Sequence, residues 1–174
     1  AAGLPQPDLA AVSHWHWDHT FGMSALHIPT IAGRETNRML QTVQSWSWDD
    51  EAMAQRLKTG EDILFCDEMI RREYPDRSQI HVQTADIVFE GQLHIDLGGG
   101  VVCELLHVGG PHASDSVICY VPSDRVLFLG DANGKDLYGQ PWHFDIAHEE
   151  ELVPTLAALP YDRDLVEQLI RVLD

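Results

Sequence analysis

An α/β fold of sandwich type, with sheets inside and helices outside, follows from three features of this sequence. Apolar residues recur at helical spacing from Arg34 to about Glu73, follow strand patterns from Ile80 to Asp131, and return to the helical period from Asp164 to Leu173. A short apolar stretch, Leu9 to Val12, precedes all of them as a first strand.

Taken in order, Ile28-Pro-Thr-Ile-Ala-Gly33 reads as a short strand and turn. In the helical stretch Met39, Leu40, Val43 and Trp46 share a face, Asp49 and Asp50 offer a cap, Met53 and Leu57 continue at a step of four, and Ile63 to Ile70 forms a third segment. In the β region Leu93, Ile95 and Leu97 alternate with Gln92, His94 and Asp96, and Val101 to Val108 is strongly apolar. Val117 to Val121 and Arg125 to Leu129 flank a Pro122-Ser-Asp turn in hairpin fashion. Gly134, Gly139 and Pro141 mark a loop after Asp131, and Leu165, Leu169 and Leu173 step by four in the tail, with Val166 and Ile170 beside them. One domain over residues 1–174, with a helical insertion at about 34–73, accommodates these elements. The insertion's Trp46, Trp48, Met39 and Met53 suit plain helix packing first, and an apolar lid or a homodimer contact second.

The chemistry concentrates in Ser13-His14-Trp-His16-Trp-Asp18-His19-Thr-Phe-Gly22, where His14, His16, Asp18 and His19 put four potential metal ligands into six positions. Imidazole and carboxylate are the donors that zinc and similar borderline ions take. Along an extended strand end His14, His16 and Asp18 fall on one side by the period of two, and a turn then brings His19 round.

This run resembles the H-x-H-x-D-H signature of the metallo-β-lactamase fold superfamily, mostly hydrolytic enzymes built on an αββα sandwich. Val108-Gly-Gly-Pro-His112-Ala-Ser-Asp115-Ser116 is similar to that family's Gly-His loop, and Leu127-Phe-Leu-Gly-Asp131 to the strand end carrying its bridging Asp. The resemblance implies that His14, His16 and His112 hold a first metal, that Asp18 and His19 hold a second, and that Asp131 bridges them, with Asp18 also a proton shuttle. It implies two divalent ions, zinc by default, with iron or manganese suited to the same donors. Such a pair, roughly 3.5–4 Å apart, activates water against a small ester, thioester, lactone, lactam or phosphodiester. A di-iron redox protein or a noncatalytic metal binder is the alternative class, although no flavin-binding stretch is present. Asp131 stands where the main lactamase branch has a metal-binding Cys, which makes antibiotic hydrolysis a side reading.

Two departures from the family pattern stand out. Beyond Asp131 the histidines are His143 and His148, and neither lies in the Gly-His turn that completes the second metal's shell in relatives. Only 13 residues precede His14, where relatives carry further strands and a first Asp motif. The sequence therefore reads as part of a longer protein. His143 sits on the loop after Asp131 as a candidate substrate contact or stand-in ligand, Asn133 and Lys135 as candidates for orienting an anionic group, and Asp115 and Ser116 as shapers of the His112 loop. His27, His81, His94, His107 and His148 read as structural or exposed.

Composition limits the partners. A formal net charge of −17, from 28 acidic residues against 11 Lys and Arg, provides no basic footprint for nucleic acid. With 44% apolar and 22% charged residues the chain suits a globular protein, and it has no apolar run long enough to span a membrane, so a small-molecule substrate is expected. Cys66, Cys103 and Cys119, odd in number and far apart in sequence, read as buried thiols of a reducing, cytoplasmic compartment.

Overall fold

In the computed structural model, which describes residues 6–161, the chain builds two sheets from two kinds of connection. Ala10–Ala11 (β1), Thr30–Gly33 (β2) and Ile87–Phe89 (β3) lie side by side in parallel, in that order. Parallel neighbours need crossovers, and the long one between β2 and β3 contains three helices: Arg34–Gln44 (α2), Asp50–Thr59 (α3) and Leu64–Glu73 (α4), the label α1 going to the single turn Trp17–Thr20. Gln92–Gly98 (β4), Val101–His107 (β5), Val117–Val121 (β6) and Val126–Phe128 (β7) form a second, antiparallel sheet whose order follows the chain, as short turns dictate.

Burial shows how these layers stack. All four residues of β2 are buried, as expected for a central parallel strand covered on both faces. On one face Val12, Met23 and Ala32 pack with Leu40 of α2. On the other, Ile31 and Phe89 meet Cys103, Leu105 and Val117 of the second sheet. The far side of that sheet, through Ile118, packs with Ala132 and with Leu152 of a last helix, Ile146–Ala158 (α5). The order is therefore helix, sheet, sheet, helix, the αββα sandwich. No helix among the described residues is long and apolar enough to cross a membrane.

The helical insertion has its own core of Phe21, Val43, Met53, Cys66, Ile70 and Ile80. Asp49 caps α3 by accepting from the Ala52 N–H, while Asp50 instead pairs with Arg71 and Arg77. The buried residue one turn after Met53 is Arg56 rather than Leu57. Its guanidinium lies 4.6 Å from the Trp46 ring and 4.7 Å from the Trp48 ring, and it donates to the Ser47 carbonyl, so the cation is held by aromatic faces.

Several expectations need correction. Strand structure begins at Ile87 instead of Ile80, which joins the helical core. Leu97 does not face inward, because the β4–β5 register shifts between Asp96 and Gly98 and leaves it 56% exposed. Cys103 and Cys119 are not far apart in space, since β5 and β6 pair and bring their sulfurs to 3.1 Å, and Cys119 is half-buried. Helix α5 follows the loop marked by Gly134, Gly139 and Pro141, in a stretch to which the sequence reading assigned no element; Asp145 caps it through the Ala147 and His148 N–H groups, and it carries Pro154 inside. The helix expected over Asp164 to Leu173 lies outside the described residues.

Candidate metal centre

The histidine run sits where β1 hands over to α1. Val12 donates to the Ile31 carbonyl, and the Ser13 carbonyl accepts from Val117, so the strand end is pinned between the two sheets. His14 and His16 lie on either side of a bend at Trp15, rather than along an extended strand end as expected, and are buried, at 0% and 7% exposure. The chain then turns into α1, with His19 N–H donating to the His16 carbonyl, and His19 swings back beside His14 at a ring separation of 4.1 Å. Asp18 is consequently a helical residue and is not positioned by the strand period as expected; it is exposed, with Oδ2 3.5 Å from His19 Nε2.

His112 arrives from the loop between β5 and β6. His16 Nδ1 lies 3.0 Å from His14 Nε2 and 3.0 Å from His112 Nε2. A tetrahedral ion with Zn–N bonds of 2.0–2.1 Å sets its nitrogens about 3.3 Å apart, so this triangle has the size such an ion needs. His14, His16 and His112 form one group of donor atoms that could hold a metal, and His14, His19 and Asp131 form another. Asp131, at the end of the strand that follows the Pro122 turn, links them: its Oδ2 lies 3.3 Å from His112 Nε2 and 3.6 Å from His19 Nε2. Asp18 belongs to neither group and borders the second through His19.

Hydrogen bonds behind the rings aim them. His112 Nδ1 donates to the Lys135 carbonyl at 3.1 Å, which leaves the Nε2 lone pair facing His16. The Ser13 hydroxyl lies 3.1 Å from His14 Nδ1 and 3.2 Å from His19 Nδ1, tying both rings to one point. The approach of Gly130 makes this possible: its φ is +52°, and a side chain there would collide with Ser13 Cβ at 2.8 Å. Asp115 is 1% exposed and accepts from the Trp15 N–H at 2.9 Å, between the two buried histidines. Sequence reasoning assigned Asp115 to its own loop and missed Ser13, because both act on residues distant in sequence or through ring nitrogens that no motif encodes.

Charge follows from this packing. Burial, then the neighbouring rings, pushes the His14 imidazole down to about 2 and that of His16 to about 3, so both present neutral lone pairs. His19 is raised, chiefly by its hydrogen bond with Asp131, and the same bond holds the Asp131 carboxyl down at about 2. Buried neutral nitrogens beside an ionised carboxylate are what a cation requires.

A cleft of about 530 Å³ opens over these groups, lined by His16, Asp18, His112 and Asp131 on its polar side and by Trp17, Phe65, Cys66 and Met69 on its apolar side. Tyr138, which no sequence signal marked, packs on His16 at 6.0 Å and on Trp15 at 6.4 Å. It hydrogen-bonds the Cys66 thiol, which burial pushes up to about 12. His143 is elsewhere: its Nδ1 faces the Pro141 carbonyl at 3.0 Å, and among the described residues it joins neither donor group. Lys135 turns its ammonium over the Phe144 ring. Asn133 is exposed beyond the site.

A family model described as the metallo-beta-lactamase superfamily matches residues 1–172. Similar solved structures include a metallo-beta-lactamase from Pontibacter korlensis, 19% identical, with a TM-score of 0.52 over 91% of this chain and 60% of that one. Metallo-beta-lactamase IND-7 is 16% identical, with a TM-score of 0.52 over 90% of this chain and 57% of that one. At such identities the likeness is one of fold, and the chain spans less than two thirds of the length of either structure. A search of curated proteins finds no match.

Proposed function

The chain belongs to the metallo-beta-lactamase superfamily, and from that premise we propose that it is a metal-dependent hydrolase in which His14, His16 and His112 hold one divalent ion, His19 and Asp18 hold a second, and Asp131 stands between them. The observation that carries this reading is the placement of Asp131 Oδ2 within 3.3 Å of His112 Nε2 and 3.6 Å of His19 Nε2, a single carboxylate oxygen facing both donor groups. Two such ions supply a hydroxide at neutral pH and polarise the oxygen of the bond under attack. Zinc suits the nitrogen-rich first position best.

The side chains supply the remaining steps. Ser13 and the Lys135 carbonyl orient the rings, so little reorganisation accompanies reaction. Asp18, whose Oδ2 lies 3.5 Å from His19 Nε2 on the lining of the cleft, would take a proton from the attacking water and return it to the leaving group. The apolar wall excludes water around the substrate body. A cleft of this size takes a small ester, thioester, lactone, lactam or phosphodiester, and the −17 charge disfavours a polynucleotide. The test is metal analysis of protein purified without added metal, followed by assay of the metal-loaded protein on a panel of those substrates. Hydrolysis abolished by chelation and restored by zinc is expected; bound metal with no hydrolysis of any class would oppose the reading.

A further inference from the structure

The wall of the cleft opposite the histidines is α4, which contributes Phe65, Met69, Arg72 and Glu73. Of the seven arginines among the described residues, six are engaged: Arg34 with Glu90, Arg38 with Glu35, Arg56 with the Ser47 carbonyl, Arg71 with Asp67, Arg77 with the Trp48 carbonyl and Arg125 with the Pro160 carbonyl. Arg72 has no hydrogen-bond or ion-pair partner among the described residues, and it is exposed on the cleft. Although the chain carries a net charge of −17, among the described residues no carboxylate takes up this guanidinium, which leaves it open to a ligand in the cleft. Lys135, the cation expected for an anionic group, is spent on Phe144.

Between Arg72 and the donor groups the wall is apolar. Met69 and Cys66 lie about one and two turns back on α4, Leu137 lines the same cleft, and Phe65 is 44% exposed and meets Trp142 edge-on at 5.8 Å. We propose that Arg72 is a specificity-determining residue, receiving a carboxylate at the far end of a substrate whose apolar body lies against Phe65, Met69 and Leu137 while its scissile carbonyl reaches the histidines. This rests on the hydrolase reading for the scissile end only. A guanidinium binds a carboxylate in a two-pronged manner. Glu73, next to Arg72 on the same wall, adds a negative charge that penalises a dianionic phosphate more than a monoanion.

The test has two arms. Equilibrium binding of 4-phenylbutanoate and of its neutral amide, 4-phenylbutanamide, is measured by calorimetry on wild type, Arg72→Ala and Arg72→Lys without metal, which removes any contact of the carboxylate with an ion. Charged hydrogen bonds at a partly exposed site correspond to roughly tenfold in affinity. The carboxylate is expected to bind wild type about tenfold tighter than the amide, Arg72→Ala to erase that ratio, and Arg72→Lys to keep part of it. In the zinc-loaded protein, kcat/KM is compared for the phenyl esters of 4-carboxyphenylacetic acid and of its 4-carboxamide. A preference for the carboxylate ester of about tenfold, carried by KM and lost in Arg72→Ala, supports the assignment. Equal ratios in wild type and Arg72→Ala in either arm overturn it, as does tighter binding of 4-phenylbutylphosphonate than of the carboxylate. Failure to hydrolyse both esters would strike the hydrolase reading instead, and the binding arm would still decide the role of Arg72.

Discussion

Asp131 illustrates how much one side chain decides. Its Oδ2 faces His112 on one side and His19 on the other. Asp131→Asn keeps the shape and removes the charge, so occupancy of the second metal should fall far more than that of the first, whose three imidazoles remain. Metal content by mass spectrometry checks this, and equal loss from both positions would argue against a bridging role. Asp115 acts from behind by holding the Trp15 N–H. Asp115→Ala should lower metal affinity by about 10–100-fold, the usual cost of losing a partner behind the ligands, whereas Asp115→Asn retains an acceptor and most of the affinity; metal titration of the two variants distinguishes them. Spacing made the candidate donor cluster legible, since His14, His16 and His19 fall within six positions and the structure brings their rings together. Ser13, Asp115, Tyr138 and Arg72 were not legible, because what each does depends on a ring orientation or on a neighbour far along the chain.

Elements were legible where one face is apolar and the period is clean. Helices α2 to α4 and the β4–β7 meander lie where alternation and helical spacing put them, with the β-bulge at Leu97 as the local exception. The region between Asp131 and Tyr161 was not, because glycines and Pro141 signal loop and Pro154 interrupts the helical pattern, while the Asp145 cap and the contact of Leu152 with Ile118 build α5 nonetheless. Pairing of β5 with β6 likewise brought together two cysteines that spacing alone kept apart. The insertion's stability depends on local devices such as the Asp49 cap. Asp49→Ala should lower the denaturant midpoint without changing its slope, and no change would mean that helix packing alone sets the start of α3.

For the whole molecule, the candidate site links stability to pH. His14 and His16, held down at about 2 and 3 when folded and free to protonate near 6.5 when unfolded, make the unfolded chain the greater proton binder between those values. Stability of the metal-free protein should therefore rise with pH from about 3 to 6.5 and be fully present above that, each ring contributing roughly 1.4 kcal/mol per pH unit. His19, raised by Asp131, works in the opposite sense: its contribution is present below 6.5 and lost as pH climbs through its folded value. Two rings outweigh one, so the melting temperature without metal should fall from pH 6.5 to 5, and a flat profile would show that the rings are not buried as described. A cation held by these neutral nitrogens would add to stability, because only the folded chain brings them together. The most direct measurement is the metal-to-protein ratio of His16→Ala beside wild type, purified identically without added metal. Wild type should retain its first ion and His16→Ala should retain none, with hydrolysis lost in parallel; full metal content in His16→Ala would contradict the assignment of His14, His16 and His112 as a metal centre.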